Sequence, residues 1–306
     1  MSVKIIFMGT PEFAVPSLKA LSESKFEIIS VYTQPPKKNQ RGQKIKKSPV
    51  HLAAERLNID VRTPIQLDTR EEYDFFHKKK PNLVVVVAYG NLIPEKLLKI
   101  PKLLFINLHA SLLPRWRGAA PVERAILNQD KETGVSIMKI VKGLDAGPYM
   151  RQVKVPINHT ISAGELKNTL SEIGSKAILE SIDLILKGEE KFIEQISSNS
   201  TYAKKIEKSE AKIIWEEQAG KIVSKINAFN PKPGAWFEYK NFRYKIFKAE
   251  EVNFQGPAGE ILDDSLTVGA GNNSIKILEI QKEGKNKLNV ESFLIGNSFK
   301  KGTKLN

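Results

Sequence analysis

The chain has 306 residues, enough for two domains with a sizeable core, and its 41% hydrophobic and 27% charged residues are ordinary for a soluble globular protein. Without cysteine there is no disulfide, no thiolate nucleophile and no cysteine-ligated centre, and the four histidines, His51, His77, His109 and His159, lack metal-ligand spacing, so no metal is expected. A net charge of +14 suits a polyanionic partner, because neutralising phosphates releases counterions.

Val3 to Met8 is too short an apolar run for a signal peptide or membrane span, so a cytoplasmic location without membrane attachment is expected. It reads instead as a buried first strand. Gly9-Thr10-Pro11 turns the chain into a helix marked by Phe13, Ala14, Leu18 and Leu21, with Ser17 as a cap if the regular part starts after Pro16. Strand, glycine and helix suggest a nucleotide loop, but neither Gly-x-Gly-x-x-Gly nor Gly-Lys-Ser/Thr is present. Phe26 to Tyr32 is a second strand. Pro35 to Lys47 then carries six basic residues and no acidic one: Lys37, Lys38, Arg41, Lys44, Lys46 and Lys47. Its proline and glycine predict an irregular, mobile loop, either plain solvated surface or a contact for a phosphate-bearing substrate.

Ser48-Pro49 starts a helix that runs through Leu57. A short strand near Val61 and a helix from Thr69 to Lys79 follow, with Lys78 to Lys80 explained by the helix dipole. Leu83 to Val87 reads as a strand buried on both faces, and beyond it Leu92 and Ile93 offer apolar surface.

Leu103 to Ile106 leads directly into Asn107, His109 and Ser111, the pattern of a strand delivering polar groups at its carboxyl end, where ligands bind in open α/β sheets. Asn107 and His109, two apart, share a face. Taken alone, His109 fits a hydrogen-bonded core histidine as well as a functional one. A helix over 122–127 and a strand over 134–141, at an edge or half-covered, deliver Gly143-Leu144-Asp145-Ala146-Gly147. Asp145 either bonds its own turn or serves a site. A strand over 149–155 and a long helix over 162–186, with Gly164 and Gly174 as weak points, complete an α/β half: a mostly parallel, Rossmann-like sheet with helices on both faces.

From 187 to 208 the pattern loosens, which places a first domain at 1–188, a linker at 189–207 and a second domain at 208–306. The second has a helix over 219–229, the turn-rich Asn230-Pro231-Lys232-Pro233-Gly234 and short alternating strands, a small β-barrel with Trp236 and Phe247 in its core.

Should Asn107, His109 and Asp145 meet, direct acyl transfer to an external nucleophile is the chemistry they fit. Ser111 lacks the Gly-x-Ser-x-Gly elbow of a nucleophile. An amide and an imidazole can hold an oxyanion, and a carboxylate can orient the imidazole.

Asn-x-His-x-Ser-Leu-Leu-Pro followed by Gly-Leu-Asp-x-Gly resembles the folate-dependent formyltransferases, and most closely their tRNA-acting branch. Further matches are Met8 to Pro16, Arg41-Gly-x-Lys with Ser48-Pro-Val50, Arg115 to Pro121, Glu132 to Val135 and Phe229-Asn-Pro231. The resemblance implies a C-terminal OB-fold-like, tRNA-binding domain and transfer of the formyl group of 10-formyltetrahydrofolate to the α-amine of methionyl initiator tRNA. Asn107, His109 and Asp145 match the catalytic trio. Ser111, Leu112, Leu113 and Pro114 match the folate-contacting segment, and Leu92, Ile93, Gly143 and Leu144 are expected as pterin walls. By the same resemblance Lys37, Lys38, Lys44, Lys46 and Lys47 would meet tRNA phosphates, and Arg41 would sense the first base pair. The start of the loop, Pro35 to Asn39, departs from the family's commoner Pro-Asp-x-Pro-x-Gly, and Pro148 follows Gly147 where the family usually has Gly-Asp. Two alternatives stay open: a formyltransferase of a small amine, and a catalytically silent RNA-binding module. A monomer is expected.

Overall fold

The computed structural model describes residues 2–38 and 45–305; Arg41 and Lys44 lie outside them. The chain forms two compact units, and neither is one continuous stretch.

The first unit comprises Met1–Gly118, Gly134–Val155 and Lys167–Tyr202. Its strands are β1 (Lys4–Gly9), β2 (Glu27–Tyr32), β3 (Lys37–Lys38), β4 (Ile45–Lys46), β5 (Val61–Arg62), β6 (Leu83–Val87), β7 (Leu104–His109), β8 (Arg117–Gly118), β9 (Glu132–Lys139) and β10 (Tyr149–Pro156). Helices α1 (Val15–Ser22), α2 (Pro49–Arg56), α3 (Arg70–Lys79) and α4 (Glu95–Leu98) lie between them. The main sheet runs β10-β9-β7-β6-β1-β2-β5. Its pairs from β5 through β7 are parallel, and β9 returns antiparallel beside β7. The chain builds outward from β1 to β2 and β5, then crosses back to β6, so the order reverses between β1 and β6. That reversal opens a crevice at the carboxyl ends of those strands.

Local chemistry explains the elements. Ser48 caps α2 by accepting the His51 N–H, and Thr69 caps α3 by accepting that of Glu72. Ser17 is not a cap. A 3₁₀ turn over Glu12–Ala14 starts α1 at Val15, which leaves Ser17 buried inside the helix. On one face of the sheet Ile6, Met8, Tyr32, Val84, Val86 and Phe105 pack against Tyr73 and Phe76 of α3 and Leu97 of α4. Phe76 stacks on Phe105 with centroids 6.2 Å apart. Burying such a side chain contributes about 1.5–3 kcal/mol. On the opposite face Leu108 meets the helix α6 (Ala163–Lys187) at Gly174, where a Cβ would lie 2.5 Å from Leu108 Cδ2. Gly174 is therefore a close-contact position rather than a weak point.

Two expectations are corrected here. The strand β9 is interior, between β7 and β10, and is buried from Thr133 to Met138, so neither an edge position nor half coverage applies. The basic segment is not wholly irregular: β3 and β4 pair antiparallel, Lys37 opposite Lys46 and Lys38 opposite Ile45, because extended backbones can pair whatever their side chains.

The second unit comprises Ala119–Thr133, Pro156–Leu166 and Ala203–Asn306. It holds α5 (Pro121–Leu127), Ala203 of β11 (Tyr202–Ala203), α7 (Ala219–Ala228), β12 (Ala235–Tyr239), β13 (Phe242–Val252), β14 (Thr267–Gly269), β15 (Ser274–Lys282), β16 (Leu288–Asn289) and α8 (Val290–Ile295). The strands form an antiparallel sheet in the order β12-β13-β15-β14, with β16 on β15. Register breaks in β13 at Ile246/Lys248 and Lys248/Ala249 bend the strand and curl the sheet. Phe237, Tyr244, Phe293 and Phe299 fill the core. Phe247 is buried as expected, but Trp236 is half-buried, with the Arg243 guanidinium 3.9 Å from its ring centroid. Trp215 takes the core position instead, edge-on to Phe237. Arg124 of α5 forms a two-pronged pair with Glu210. Asn227 donates to the His159 carbonyl, and the Gly164 N–H to that of Asn230. No helix among the described residues is long and apolar enough to cross a membrane.

Candidate active site

The strand β7 carries Phe105, Asn107 and His109 on one face, so the packing of Phe105 under α3 sets the direction of the two polar side chains above it. Asn107 pairs in register with Val86 of β6 and Met138 of β9, and His109 with Ser136 of β9. The imidazole of His109 is 93% buried; the Asn107 amide is half-buried and has no hydrogen-bond partner among the described residues.

His109 Nε2 lies 2.8 Å from the carbonyl oxygen of Trp116. A carbonyl only accepts, so Nε2 carries a proton and Nδ1 is left for chemistry. Nδ1 lies 3.6 Å from Oδ2 of Asp145, too long for a hydrogen bond and short enough for an ion pair once the ring is charged. Asp145 sits in the left-handed region at φ +46°, which aspartate tolerates better than most residues. Its carboxylate does not close its own turn: Oδ2 accepts the N–H of Gly118 at 2.8 Å. Trp116, also left-handed at φ +60°, is held by its N–H on Thr201 Oγ1, and Arg117 by its N–H on the Thr201 carbonyl. The structure thus brings His109 and Asp145 together, with Asn107 on the strand face of His109.

The loop after β7 is braced from below. Ser111 is fully buried, its hydroxyl donating to the Arg115 carbonyl, so it is committed inside the loop. Leu113 is buried and Leu112 and Pro114 are half-buried, with a cis bond between Leu113 and Pro114. Ser136 Oγ donates to the Ser111 carbonyl and accepts the Leu113 N–H. Gln152 Nε2 donates to the Leu113 carbonyl at 2.8 Å and to Ser136 Oγ. Sequence reasoning missed Ser136 and Gln152, and equally Gln195, whose side chain reaches the Asp145 turn, and Arg117, which bonds Gln195. Gln152, Arg117 and Gln195 stand beside or near other charged residues, and nothing local sets them apart. Position 136 carries one usable signal, a serine between the apolar Val135 and Ile137 of a strand.

Among the expected pterin walls, Leu92 is 85% exposed and Leu144 and Gly143 are exposed, whereas Ile93 packs against the core under α3 and α4. Lys142 and Glu95 pair at 3.4 Å and tie the 142–147 turn to α4, and Glu95 is held below the usual carboxylate range by its bonds to Lys99 and Lys142. At the crevice, Thr10 Oγ1 donates to the Tyr89 carbonyl, and burial pushes the Tyr89 phenol up to about 12. In the basic hairpin Lys37 and Lys46 are exposed, and Lys47 pairs with Glu55.

An amide without a partner among the described residues, an imidazole and a carboxylate stand at the carboxyl edge of an α/β sheet, with the nearby serine locked away; that arrangement is suited to group transfer to an external nucleophile. The chain belongs to the formyl transferase family: the family model matches residues 2–182, and that of the formyl transferase C-terminal domain matches 205–298. It is similar to the methionyl-tRNA formyltransferase of Pelagibacter ubique, 49% identical over 307 residues, covering 100% of this chain and 99% of that one. It is 41% identical to the methionyl-tRNA formyltransferase of Bradyrhizobium diazoefficiens, covering 99% of each chain. Among solved structures, HypX from Aquifex aeolicus in complex with tetrahydrofolic acid shares the fold with a TM-score of 0.65 at 18% identity, covering 96% of this chain and 47% of that one, so this chain spans about half the length of HypX.

Proposed function

We propose that this chain transfers the formyl group of 10-formyltetrahydrofolate to the α-amino group of methionyl initiator tRNA, as a monomer in the cytoplasm and without a metal. The observation that carries the reading is the similarity, across the whole chain, to methionyl-tRNA formyltransferases. Support from the site is the Asn107 amide, which has no partner among the described residues, next to an imidazole with Nδ1 uncommitted.

The folate, when bound, supplies an activated formyl carbon. A free α-amine titrates at about 7.7–8.0, so about a tenth to a sixth of it is neutral and ready to attack at pH 7. Asn107 donates its amide hydrogens to the oxygen that gains charge as the amine adds. His109, with Nε2 already committed to Trp116, takes the amine proton at Nδ1; Asp145 stabilises the resulting imidazolium, which then donates from Nδ1 to the oxyanion or the departing nitrogen. No covalent enzyme intermediate forms. The backbone of 111–114 and the side chains of Leu112 and Pro114 hold the folate, with Leu92, Ile93, Gly143 and Leu144 around the pterin. Exposure of Leu92 and Leu144 suits groups that become covered on binding. Lys37, Lys38, Arg41, Lys44, Lys46 and Lys47 meet tRNA.

The test is formyl transfer from 10-formyltetrahydrofolate, with methionyl initiator tRNA, free methionine and glycinamide ribonucleotide offered in parallel. Formylation of the tRNA alone is expected. Formylation of a small amine instead, or tRNA binding without transfer, would overturn the assignment in favour of the small-amine enzyme or the silent RNA-binding module respectively.

A further inference from the structure

Gln195 lies in a segment whose composition reads as linker, yet its side chain is fully used at the site. Its Oε1 accepts from Nε of Arg117 at 2.9 Å. Its Nε2 donates to the carbonyl of Asp145 at 2.8 Å and to that of Gly147 at 2.6 Å. The amide orientation is fixed by this pattern, since a flip would set its oxygen against two carbonyls. Arg117 is 4% exposed and has no carboxylate partner among the described residues. Its positive charge therefore acts on Gln195, and an amide that accepts from a cation is a stronger donor at its nitrogen.

The two bonds fall where the turn needs them. Asp145 is held at φ +46°, a conformation that a non-glycine residue leaves when its surroundings relax. Gly147 passes so close to β9 that a Cβ would lie 1.9 Å from the Lys139 carbonyl oxygen. Gln195 pins the turn at both residues, and the Asp145 carboxylate reaches Gly118 and His109.

We propose that Gln195 is a positioning residue for the formyl transfer: by bonding the carbonyls of Asp145 and Gly147 while accepting from Arg117, it keeps the Asp145 carboxylate aimed at His109 Nδ1. The inference rests on the catalytic reading of Asp145 given above. It assigns to Gln195 no contact with either substrate, so its effect falls on kcat and not on KM.

The test uses the full-length protein with Gln195→Ala, Gln195→Glu, Asp145→Asn and the double variant Gln195→Ala/Asp145→Asn, each checked for folding by circular dichroism and Tm. Gln195→Ala is expected to lower kcat about 10- to 100-fold, the scale of a misplacement near 1 Å, with KM for folate and tRNA nearly unchanged. Gln195→Glu keeps the acceptor for Arg117 but turns a carboxylate oxygen toward two carbonyls, and should lose as much. Gln195→Met, which fills the space without bonding, replaces the alanine variant if that one is unstable. In the Asp145→Asn background Gln195→Ala should cost little more, because its action passes through the missing charge. Full activity of Gln195→Glu, a loss confined to KM, or an additive loss in the double variant would overturn the proposal. An unaltered rate for Asp145→Asn alone would instead remove the catalytic reading itself, so the two failures are distinguishable.

Discussion

Asp145→Asn isolates the charge of the carboxylate from its place in the fold. The amide oxygen of asparagine can still accept the Gly118 N–H that Oδ2 accepts at 2.8 Å, so the turn should persist and Tm should change little. What disappears is the negative charge 3.6 Å from His109 Nδ1. Two unit charges at that distance attract by about 4–5 kcal/mol at an effective dielectric of about 20. The Asp145 side chain is 18% exposed, so water screens part of this. About 3 kcal/mol of lost transition-state stabilisation remains, equivalent to a fall in kcat of about 100- to 200-fold. The assay is single-turnover formylation of methionyl-tRNA with both substrates saturating, which excludes changes in binding. A rate within about threefold of the unsubstituted enzyme would show that no charge develops on His109 during the reaction.

Three further perturbations probe the scaffold. Gly174→Ala places a Cβ 2.5 and 2.8 Å from the two methyl groups of Leu108, which lies between Asn107 and His109 on β7; overpacking should cost about 1–3 kcal/mol in urea unfolding and lower kcat, and an unchanged midpoint would mean that Leu108 rotates aside. Removing Lys37 and Lys46 from the hairpin should raise KM for tRNA and flatten its salt dependence by about one unit of log–log slope for each phosphate that is no longer neutralised, while KM for folate stays put; an unaltered slope would return the hairpin to plain solvated surface. Arg124→Ala removes the hydrogen bonds that hold the Glu210 carboxyl below its ordinary range. A depressed folded-state value stabilises the fold above the unfolded value of about 4.3 and loses that contribution as pH falls through the folded one. The variant should therefore be about 1–2 kcal/mol less stable at pH 7 and converge on the unsubstituted protein in acid, whereas a constant gap across pH would point to packing alone.

Much of the α/β half is legible without coordinates, because its signals are local. Ser48 caps the helix it introduces, the helix expected from Thr69 begins at Arg70, and the valine run of β6 is buried end to end. The period of two along β7 puts Asn107 and His109 on one face. Where the reading failed, the cause was neighbours that the sequence does not name. The strand β9 looks like an edge until its two flanking strands are known, and Ser17 looks like a cap until the preceding turn is seen to start the helix earlier. Likewise Trp236 reads as core, but Trp215 holds that place against Phe237, leaving Trp236 to stack under Arg243.

The sequence by itself determined which groups are available: an amide and an imidazole two residues apart at a strand end, an aspartate between glycines, a basic segment and no cysteine. Those follow from periodicity, turn chemistry and composition, all of which act over a few residues. The tertiary structure alone decided how they meet. That Nε2 of His109 is committed to Trp116, that Asp145 bonds Gly118 instead of its own turn, and that Gln195, 50 residues further along the chain, fastens that turn are facts of packing. Hydrogen bonds between residues that far apart in the chain leave no periodic trace in it, since a partner is chosen by where the backbone returns and not by what lies beside it.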